Sequence, residues 1–223
     1  MSVPVHFGDP TPQQDAAIQQ WLEDYITRPH EQLGRSGPVC PFVEPARRAG
    51  VVPVQRASWT APHSLQPAGT GTDRQGQQVA VLVAVLRAAL DRFTDHPWPS
   101  QVPRLHSLVV LLDQLREEQW PVLDAAHAAV KTEVMRRGLM LGQFHPACPA
   151  PAVHNPSFAV NVSPMPLVVI RRMAPHDVQF TSETDHFTAY QDHFRDLYEQ
   201  HRAPAPLARL YEQLVADSHT AMP

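Results

Sequence analysis

Apolar residues recur at helical spacing in the first half of the chain. In segment 12–28 they share one face and Pro29 ends the pattern, which predicts a helix whose apolar positions are Ile18, Leu22, Tyr25 and Ile26. Segment 76–95 is apolar on most of its circumference, so a largely buried helix is predicted there. Segment 60–76 is rich in Thr, Pro, Gly and Ser, which predicts an exposed loop before that helix.

The second half of the chain contains further helical patterns. Segment 117–137 predicts a long helix, with Pro121 tolerated only in its first turn and Gly138 as the C-terminal cap. The tail from Thr184 to about Val215 predicts one or two more helices, broken at "RAPAP".

Short apolar runs predict strands between these helices, in segments 50–57, 104–113, 139–145 and 166–173. Pro53 cannot donate a backbone hydrogen bond to a central ladder, so the first strand is predicted at a sheet edge. Because strands and helices alternate, the predicted fold class is α+β or α/β. We expect a single domain over residues 1–223, in which helices cover a sheet of about four strands.

Charge and hydropathy exclude two classes of partner. The net charge is −4, with 18 Lys and Arg residues against 22 Asp and Glu residues, so no basic surface for nucleic acid is expected. No apolar run approaches the ~20 residues that span a bilayer, and the start "MSVPVHFGDPTPQQD" lacks the features of a signal peptide. The sequence therefore predicts a cytoplasmic protein without nucleic-acid or membrane partners.

Both cysteines, Cys40 and Cys148, lie in proline-interrupted loops and directly precede a proline. In a reducing compartment they are predicted to be free thiols or ligands, although the sequence leaves a disulfide between them open. A thiolate binds soft metals and haem iron, and the following proline stiffens the loop that presents it. The alternative is that both cysteines are small buried hydrophobic residues.

Two histidines accompany Cys148 in the segment "GQFHPACPAPAVHNPSF". His145 follows a predicted strand, and strand ends commonly border the binding crevice of an α/β sheet, which favours a ligand or acid/base role. The alternative is a histidine that is simply hydrogen-bonded at a strand end. His154 and Asn155 either reach the same pocket or cap the turn. A zinc site is a further interpretation, with the ligands drawn from Cys40, His145, Cys148 and His154.

Arg171 and Arg172 end the last predicted strand and fall on its opposite faces, so one of them points towards the covered side of the sheet. A buried guanidinium group needs an anion. That anion is a substrate carboxylate, a haem propionate, or an Asp or Glu of the fold.

These residues form three short motifs: Cys40-Pro41-Phe42, Phe144-His145-Pro146, and Pro164-Met165-Pro166 leading to Arg171. Their order and spacing, over about residues 30–180, resemble a family of uncharacterised bacterial proteins. More distantly, the layout is similar to the small haem-dependent N-hydroxylases that act on guanidine or on the guanidino group of arginine.

The resemblance implies a soluble α+β protein that binds haem b and belongs to a pathway of specialised metabolism. Cys40 or His145 would be the axial ligand, the other loop would line the distal side, and Arg171 would hold a propionate or a substrate carboxylate. The cofactor-binding residues are then expected to be Cys40, Pro41, Phe42, His145, Cys148, His154, Asn155 and Arg171. Electrons would come from a separate reductase or from peroxide.

The leading functional prediction is a haem-dependent monooxygenase acting on a small nitrogen-containing metabolite, with His145 and Arg171 as catalytic residues and Cys40 and His145 as iron ligands. Three alternatives stay open. They are a non-enzymatic haem or small-ligand binding protein, a zinc-binding protein or metal-dependent hydrolase that uses His145 and Cys148, and a protein that acts through protein contacts. A homodimer is compatible with all of them.

Overall fold

The computed structural model describes residues 3–60, 72–99, 101–181 and 183–220. Most of the predicted loop 60–76 lies outside these residues, and residues 72–76 already belong to the helix that follows. No helix in the described ranges is both long enough and apolar enough to cross a bilayer.

The described residues divide into two compact units. The first comprises Met1–Val130 and Leu141–Arg171, and the second comprises Lys131–Met140 and Arg172–Pro223. The mixture of helices and strands confirms the predicted α+β class. That residues 1–223 fold as one domain stays a prediction.

A five-stranded mixed sheet is formed by the described residues, in the order β1-β2-β3-β7-β4. Its strands are β1 (Val5–Gly8), β2 (Val54–Trp59), β3 (Ser107–Leu111), β4 (Leu139–Phe144) and β7 (Leu167–Arg172). β2 is antiparallel to β1 and parallel to β3, while β3 is antiparallel to β7. The amide of Met173, just after β7, donates to the carbonyl of Gly138, just before β4, at 2.9 Å, so β4 is antiparallel to β7.

The predicted edge position of the first strand is wrong, because β2 lies between β1 and β3. Pro53 stands one residue before β2, where it needs no donor, and its carbonyl accepts from the amide of Val109 at 3.0 Å. The sheet edge is formed instead by β1, a four-residue strand that the sequence did not indicate. The sheet consequently has five strands where about four were expected.

The proline-rich segment after β4 is more regular than predicted. It contains a small antiparallel pair, β5 (Pro151–Ala152) and β6 (Asn155–Ala159). Only loop structure was expected here. The short hairpin can form because two paired positions need few backbone amide donors, so the prolines, which have none, are tolerated.

Helices of the first unit cover the sheet. They are α1 (Pro12–Trp21), which continues as a π-helix over Leu22–Ile26, α2 (Val43–Arg48), α3 (Thr72–Asp95) and the first part of α4 (Trp120–Arg136). The α1 and π-helix side chains pack on Val109, Leu111 and Leu167 of the sheet, all fully buried. Leu108 and Val110, which point to the opposite face, are equally buried, so both faces of β3 are covered.

The second unit is built around α5 (Thr184–Glu199) and α6 (Ala205–Thr220), separated at "RAPAP" as predicted. Its core is rich in tyrosine. Tyr198 and Tyr211 stack with ring centroids 3.9 Å apart, and the hydroxyl groups of Tyr190 and Tyr198 are 2.6 Å apart. Gly138, the predicted helix cap, has a φ of +68° after α4.

Candidate metal centre

The candidate centre lies at the sheet edge where β3 and β4 end. Both strands are antiparallel to β7, so they run in the same direction and their carboxyl ends meet at one edge. A short connection leads from β3 to α4, which therefore begins at that same edge. This topology brings Asp124, in the second turn of α4, to His145, the residue directly after β4.

Asp124 fixes the orientation of the His145 imidazole ring. Nε2 of His145 lies 3.2 Å from Oδ1 and 3.3 Å from Oδ2 of Asp124, and the ring tilts over Trp120 with the centroids 5.3 Å apart. Gln143 donates from its side-chain amide to Oδ1 of Asp124 at 3.4 Å. His145 is 2% exposed, whereas the Asp124 side chain is 26% exposed. The carboxylate thus connects a buried imidazole to the solvent side.

A tight turn after His145 places Cys148 close to His145 and Asp124. In this turn the amide of Cys148 donates to the carbonyl of His145 at 3.1 Å. The residue is buried and its thiol donates to the carbonyl of Gln143 at 3.9 Å. Burial raises the pKa of the Cys148 thiol and the charge of Asp124 adds to this, while hydrogen bonds from the backbone of Ala150 and His145 oppose it. At neutral pH the thiol is therefore protonated unless a cation is bound beside it.

Asp124, His145 and Cys148 form a group of potential metal ligands within the described residues. One ligand atom of each residue lies within 4.8 Å of those of the other two. With metal bonds of about 2.0–2.1 Å to nitrogen and oxygen, two ligands of a tetrahedral zinc ion lie about 3.3 Å apart. The distance between His145 and Asp124 is therefore that of two ligands of one ion, and without an ion it is that of a hydrogen bond.

His145 also contains an unsatisfied polar atom. Its Nδ1 is buried and has no hydrogen-bond partner among the described residues, and the indole Nε1 of neighbouring Trp120 is in the same state. Buried polar atoms are rarely left unpaired in proteins. Without an ion, the ring proton lies on Nε2, which faces the carboxylate, and Nδ1 has an unpaired lone pair. With an ion between Nε2 and Asp124, the proton would lie on Nδ1, which would then be an unpaired donor.

A Cys-His-Asp group can also serve nucleophilic catalysis, with histidine activating the thiol. Two observations disfavour that use here. Cys148 is 1% exposed, so a substrate cannot reach its sulfur without rearrangement. Its pKa is raised by burial, whereas reactive cysteines have a lowered pKa. The group therefore fits an ion better than it fits a nucleophile.

The structure does not include Cys40 in this group. Cys40 is half-buried and packs against the apolar cluster of α1 and the π-helix, and its amide donates to the carbonyl of Ile26 at 3.0 Å. Both cysteines are free thiols, so the disulfide that the sequence left open is not formed.

Two other predicted site residues meet each other. The guanidinium carbon of Arg171 lies 5.2 Å from the centre of the Phe42 ring, a cation–π contact between the first and third sequence motifs. Pro41, between Cys40 and Phe42, is exposed. As predicted, the two arginines differ in environment, with Arg171 half-buried and Arg172 exposed.

His154 and Asn155, the last two predicted site residues, lie outside the group of Asp124, His145 and Cys148. His154 is exposed. Asn155 donates from its side-chain amide to the carbonyl of Gln32 at 2.7 Å and accepts from the amide of Ser157 at 3.1 Å. Asn155 therefore caps a turn, which is one of the two roles the sequence allowed.

Asp124 is the member of this group that sequence reasoning missed. It shares α4 with one other acidic residue, Glu133, whose side chain is similarly exposed, and nothing in the helical pattern distinguishes the two. The only available signal is topological, because the short connection after β3 places the start of the next helix at the strand end that also precedes His145.

Fold and site together define an α+β protein with a mixed sheet and a candidate metal centre of aspartate, histidine and cysteine at one edge. The chain belongs to the family described as a domain of unknown function (DUF6875), whose model matches residues 15–205. The matched range contains all three residues of the centre. Comparison with curated proteins and with solved structures returned no match. Similarity to the haem-dependent N-hydroxylases stays a prediction.

Proposed function

We propose that this protein binds one divalent transition-metal ion of the zinc type through Asp124, His145 and Cys148. The observation that carries the proposal is the convergence of a carboxylate, an imidazole and a thiol within 4.8 Å at a sheet edge. Magnesium and calcium prefer oxygen ligands, whereas this nitrogen, sulfur and oxygen set suits zinc and similar ions.

The same geometry favours a catalytic ion over a structural one. Structural zinc sites are closed by four protein ligands, while catalytic sites have three and keep one position for water. The described residues supply three ligands, which would leave one position of a tetrahedral ion for water, and the Asp124 side chain is 26% exposed. An ion held by these residues would lower the pKa of a bound water molecule to near neutral and so would supply a nucleophile. We therefore infer hydrolysis of a small substrate by metal-activated water.

Hydrogen bonds from neighbouring residues support the three proposed ligands. Gln143 donates to Asp124 through its side chain and accepts from the Cys148 thiol through its carbonyl, so one residue contacts two of the three. The same carbonyl accepts from the side chain of Asn161 at 3.0 Å. Such outer contacts orient metal ligands and commonly change metal affinity by about 10–100-fold.

Metal titration of matched cysteine variants tests the binding proposal. We expect the wild-type protein to take up about one zinc or cobalt ion per chain, and Cys148→Ser to weaken binding by more than about 100-fold. Cys40→Ser is the control and should bind as the wild type does. Cobalt bound by the wild type should show a thiolate charge-transfer band that Cys148→Ser lacks. No uptake of either metal, or equal loss in both variants, contradicts the proposal.

The catalytic inference has its own test. A small anion such as azide should change the cobalt spectrum if a coordination position is open, and an activated ester should be hydrolysed only by the metal-loaded protein. An ion that is bound by Cys148 but insensitive to anions would show a structural site and refute the hydrolase inference alone.

We keep the haem-dependent oxygenase as a second proposal because two residues of its motifs are in contact, Phe42 and Arg171. Cys40 on the same loop is less buried than Cys148 and would be the thiolate ligand. The nitrogen-containing substrate and the separate electron donor rest on this proposal, whereas a homodimer is compatible with either proposal.

An absorption spectrum after expression with a haem precursor tests it. The proposal expects stoichiometric haem whose reduced carbon monoxide band is lost in Cys40→Ser and retained in Cys148→Ser. This pattern is the reverse of the one expected for the metal centre, so the two cysteine variants separate the two proposals. A colourless protein would contradict the haem proposal.

A further inference from the structure

A polar groove of about 780 Å³ lies in the first unit, and no residue of the candidate metal centre lines it. Its volume is that of pockets that hold metabolite-sized ligands, roughly 300–1,000 Å³. Its lining comes from α1 and the π-helix, from α2, and from the segment before β2. The lining residues are Gln19, Glu23, Thr27, Arg28, Glu44, Arg47, Arg48, Gly50, Val52 and Pro53.

Arg47 is the most enclosed charged group of this groove, with a side chain 24% exposed. Its closest carboxylate atoms are Oε2 of Glu23 at 3.6 Å and Oε2 of Glu44 at 3.8 Å. Both distances exceed that of a hydrogen bond, so the charge is balanced while the N–H groups are not satisfied by these carboxylates. Loose ion pairs at a solvated surface contribute little to stability, which makes them easy to replace.

Arg28 adds a second guanidinium group with free donors. Its Nε donates to the backbone carbonyl of Glu23 at 3.1 Å, which fixes the plane of the group. Neither of its terminal nitrogens has a partner within the described residues. Arg48, in contrast, is held by Glu44 at 2.9 Å. Three guanidinium groups against two carboxylates leave the lining with an excess of positive charge.

We propose that this groove binds a metabolite-sized anion, whose carboxylate or phosphate group is recognised by Arg28 and Arg47. The planar guanidinium fork matches both oxyanions and forms two parallel hydrogen bonds with either. An incoming oxyanion supplies the acceptors that Glu23 and Glu44 do not supply to Arg47.

Titration with inorganic phosphate and with succinate, at constant ionic strength, tests this site by calorimetry and by the thermal unfolding midpoint. We expect saturable binding by the wild-type protein and at least about tenfold weaker binding by Arg28→Gln and by Arg47→Gln, because each variant loses a bidentate contact. Arg47→Lys keeps the charge but not the fork and should also bind more weakly. Stronger binding of phosphate would identify a phosphorylated ligand, and stronger binding of succinate a carboxylate ligand.

Arg56→Gln is the matched control. Arg56 is also a partly exposed arginine in a loose ion pair, 3.8 Å from Asp113, and it does not line the groove. It should leave binding of both anions unchanged. Equal weakening in Arg56→Gln would show a general charge effect and overturn the proposal, as would the absence of saturable binding of either anion. Circular dichroism of each variant establishes that it is folded before binding is compared.

Discussion

Nε2 of His145 lies 3.2 Å from Oδ1 of Asp124, a residue 21 positions earlier in the chain. The contact joins the second turn of a helix to the end of a strand, and both lie at the same sheet edge because β3 and β4 run in the same direction. It fixes the imidazole ring next to the Cys148 thiol. A hydrogen bond and a shared metal ion both account for this distance, and they predict different responses to pH and to substitution.

Metal uptake should depend steeply on pH. Burial raises the pKa of the Cys148 thiol, so below that pKa an ion must displace the thiol proton to bind. Affinity should therefore rise by about tenfold for each pH unit between 6 and 8, with about one proton released per ion from this thiol. Zinc titration in weakly buffered solution with a pH indicator measures both quantities.

Cys148→Ser provides the comparison for the proton count. Serine keeps the size of the side chain but has no proton to release in this range, so metal binding by Cys148→Ser should release about one proton fewer per ion than binding by the wild type. A wild-type protein that binds zinc without releasing a proton would show that the thiol is not a ligand.

Gly138→Ala should destabilise the protein. The φ of Gly138 is +68°, and an added Cβ would lie 3.1 Å from Cε1 of His193, which also contacts the last carbonyls of α4. The backbone conformation alone costs about 1–2 kcal/mol for a residue with a side chain. Urea unfolding should therefore show a loss of at least about 1 kcal/mol in the free energy of unfolding.

Gly76→Ala is the opposite case. Gly76 lies within α3, is exposed, and has no atom within 4 Å of an added Cβ. Alanine in a helix is more favourable than glycine by about 0.5–1 kcal/mol, so this variant should be more stable. Equal effects of the two substitutions would contradict the assignment of a left-handed conformation to Gly138.

Tyr190→Phe should remove two buried hydrogen bonds. The Tyr190 hydroxyl donates to the carbonyl of Pro175 at 2.8 Å and accepts from Tyr198 at 2.6 Å. Its loss leaves a buried carbonyl and a buried hydroxyl unpaired, at a cost of about 1–3 kcal/mol. Tyr211→Phe, which loses one bond from Gln191 at 3.1 Å, should cost less. Chemical unfolding of both variants measures the difference.

The buried tyrosine Tyr190 should also make the free energy of unfolding decrease at alkaline pH. Burial raises the pKa of Tyr190 above its usual value near 10. The stabilisation is present below that usual value and is lost as pH rises, because the unfolded chain deprotonates first. Stability profiles above pH 9 should fall less steeply for Tyr190→Phe than for the wild type.

His186 should make the second unit sensitive to acid. Burial and then the positive charge of Lys131 lower the pKa of His186, while Glu183 and Asp185 oppose this. The folded state therefore keeps His186 neutral, and stability present above about pH 6.5 is lost as pH falls, since the unfolded chain binds the proton more readily. His186→Gln should reduce the loss of stability between pH 7 and 5. His6→Gln, at an exposed position, should leave that loss unchanged.

The regular elements with long periodic patterns were predictable from sequence. The helix at α3 is apolar over most of its circumference, and Gly138 marks the end of α4, so local physics identifies both. β1 was not predictable, because its four residues have too few positions to show an alternation, and pairing with β2 is what makes it a strand. The edge position of β2 was wrongly predicted for a related reason. Pro53 lies one residue before the strand, and the sequence does not show whether its missing amide falls inside or outside the hydrogen-bonded ladder.

The fold class, the main helices and the prediction that His145 and Cys148 are potential ligands all follow from the amino-acid sequence. They do so because helical periodicity, strand propensity and ligand chemistry are local properties. That Asp124 joins these two residues while Cys40 does not is a result of the tertiary structure. Both outcomes depend on strand order and direction, which bring residues from distant elements to one sheet edge, and no local pattern records which ends will meet.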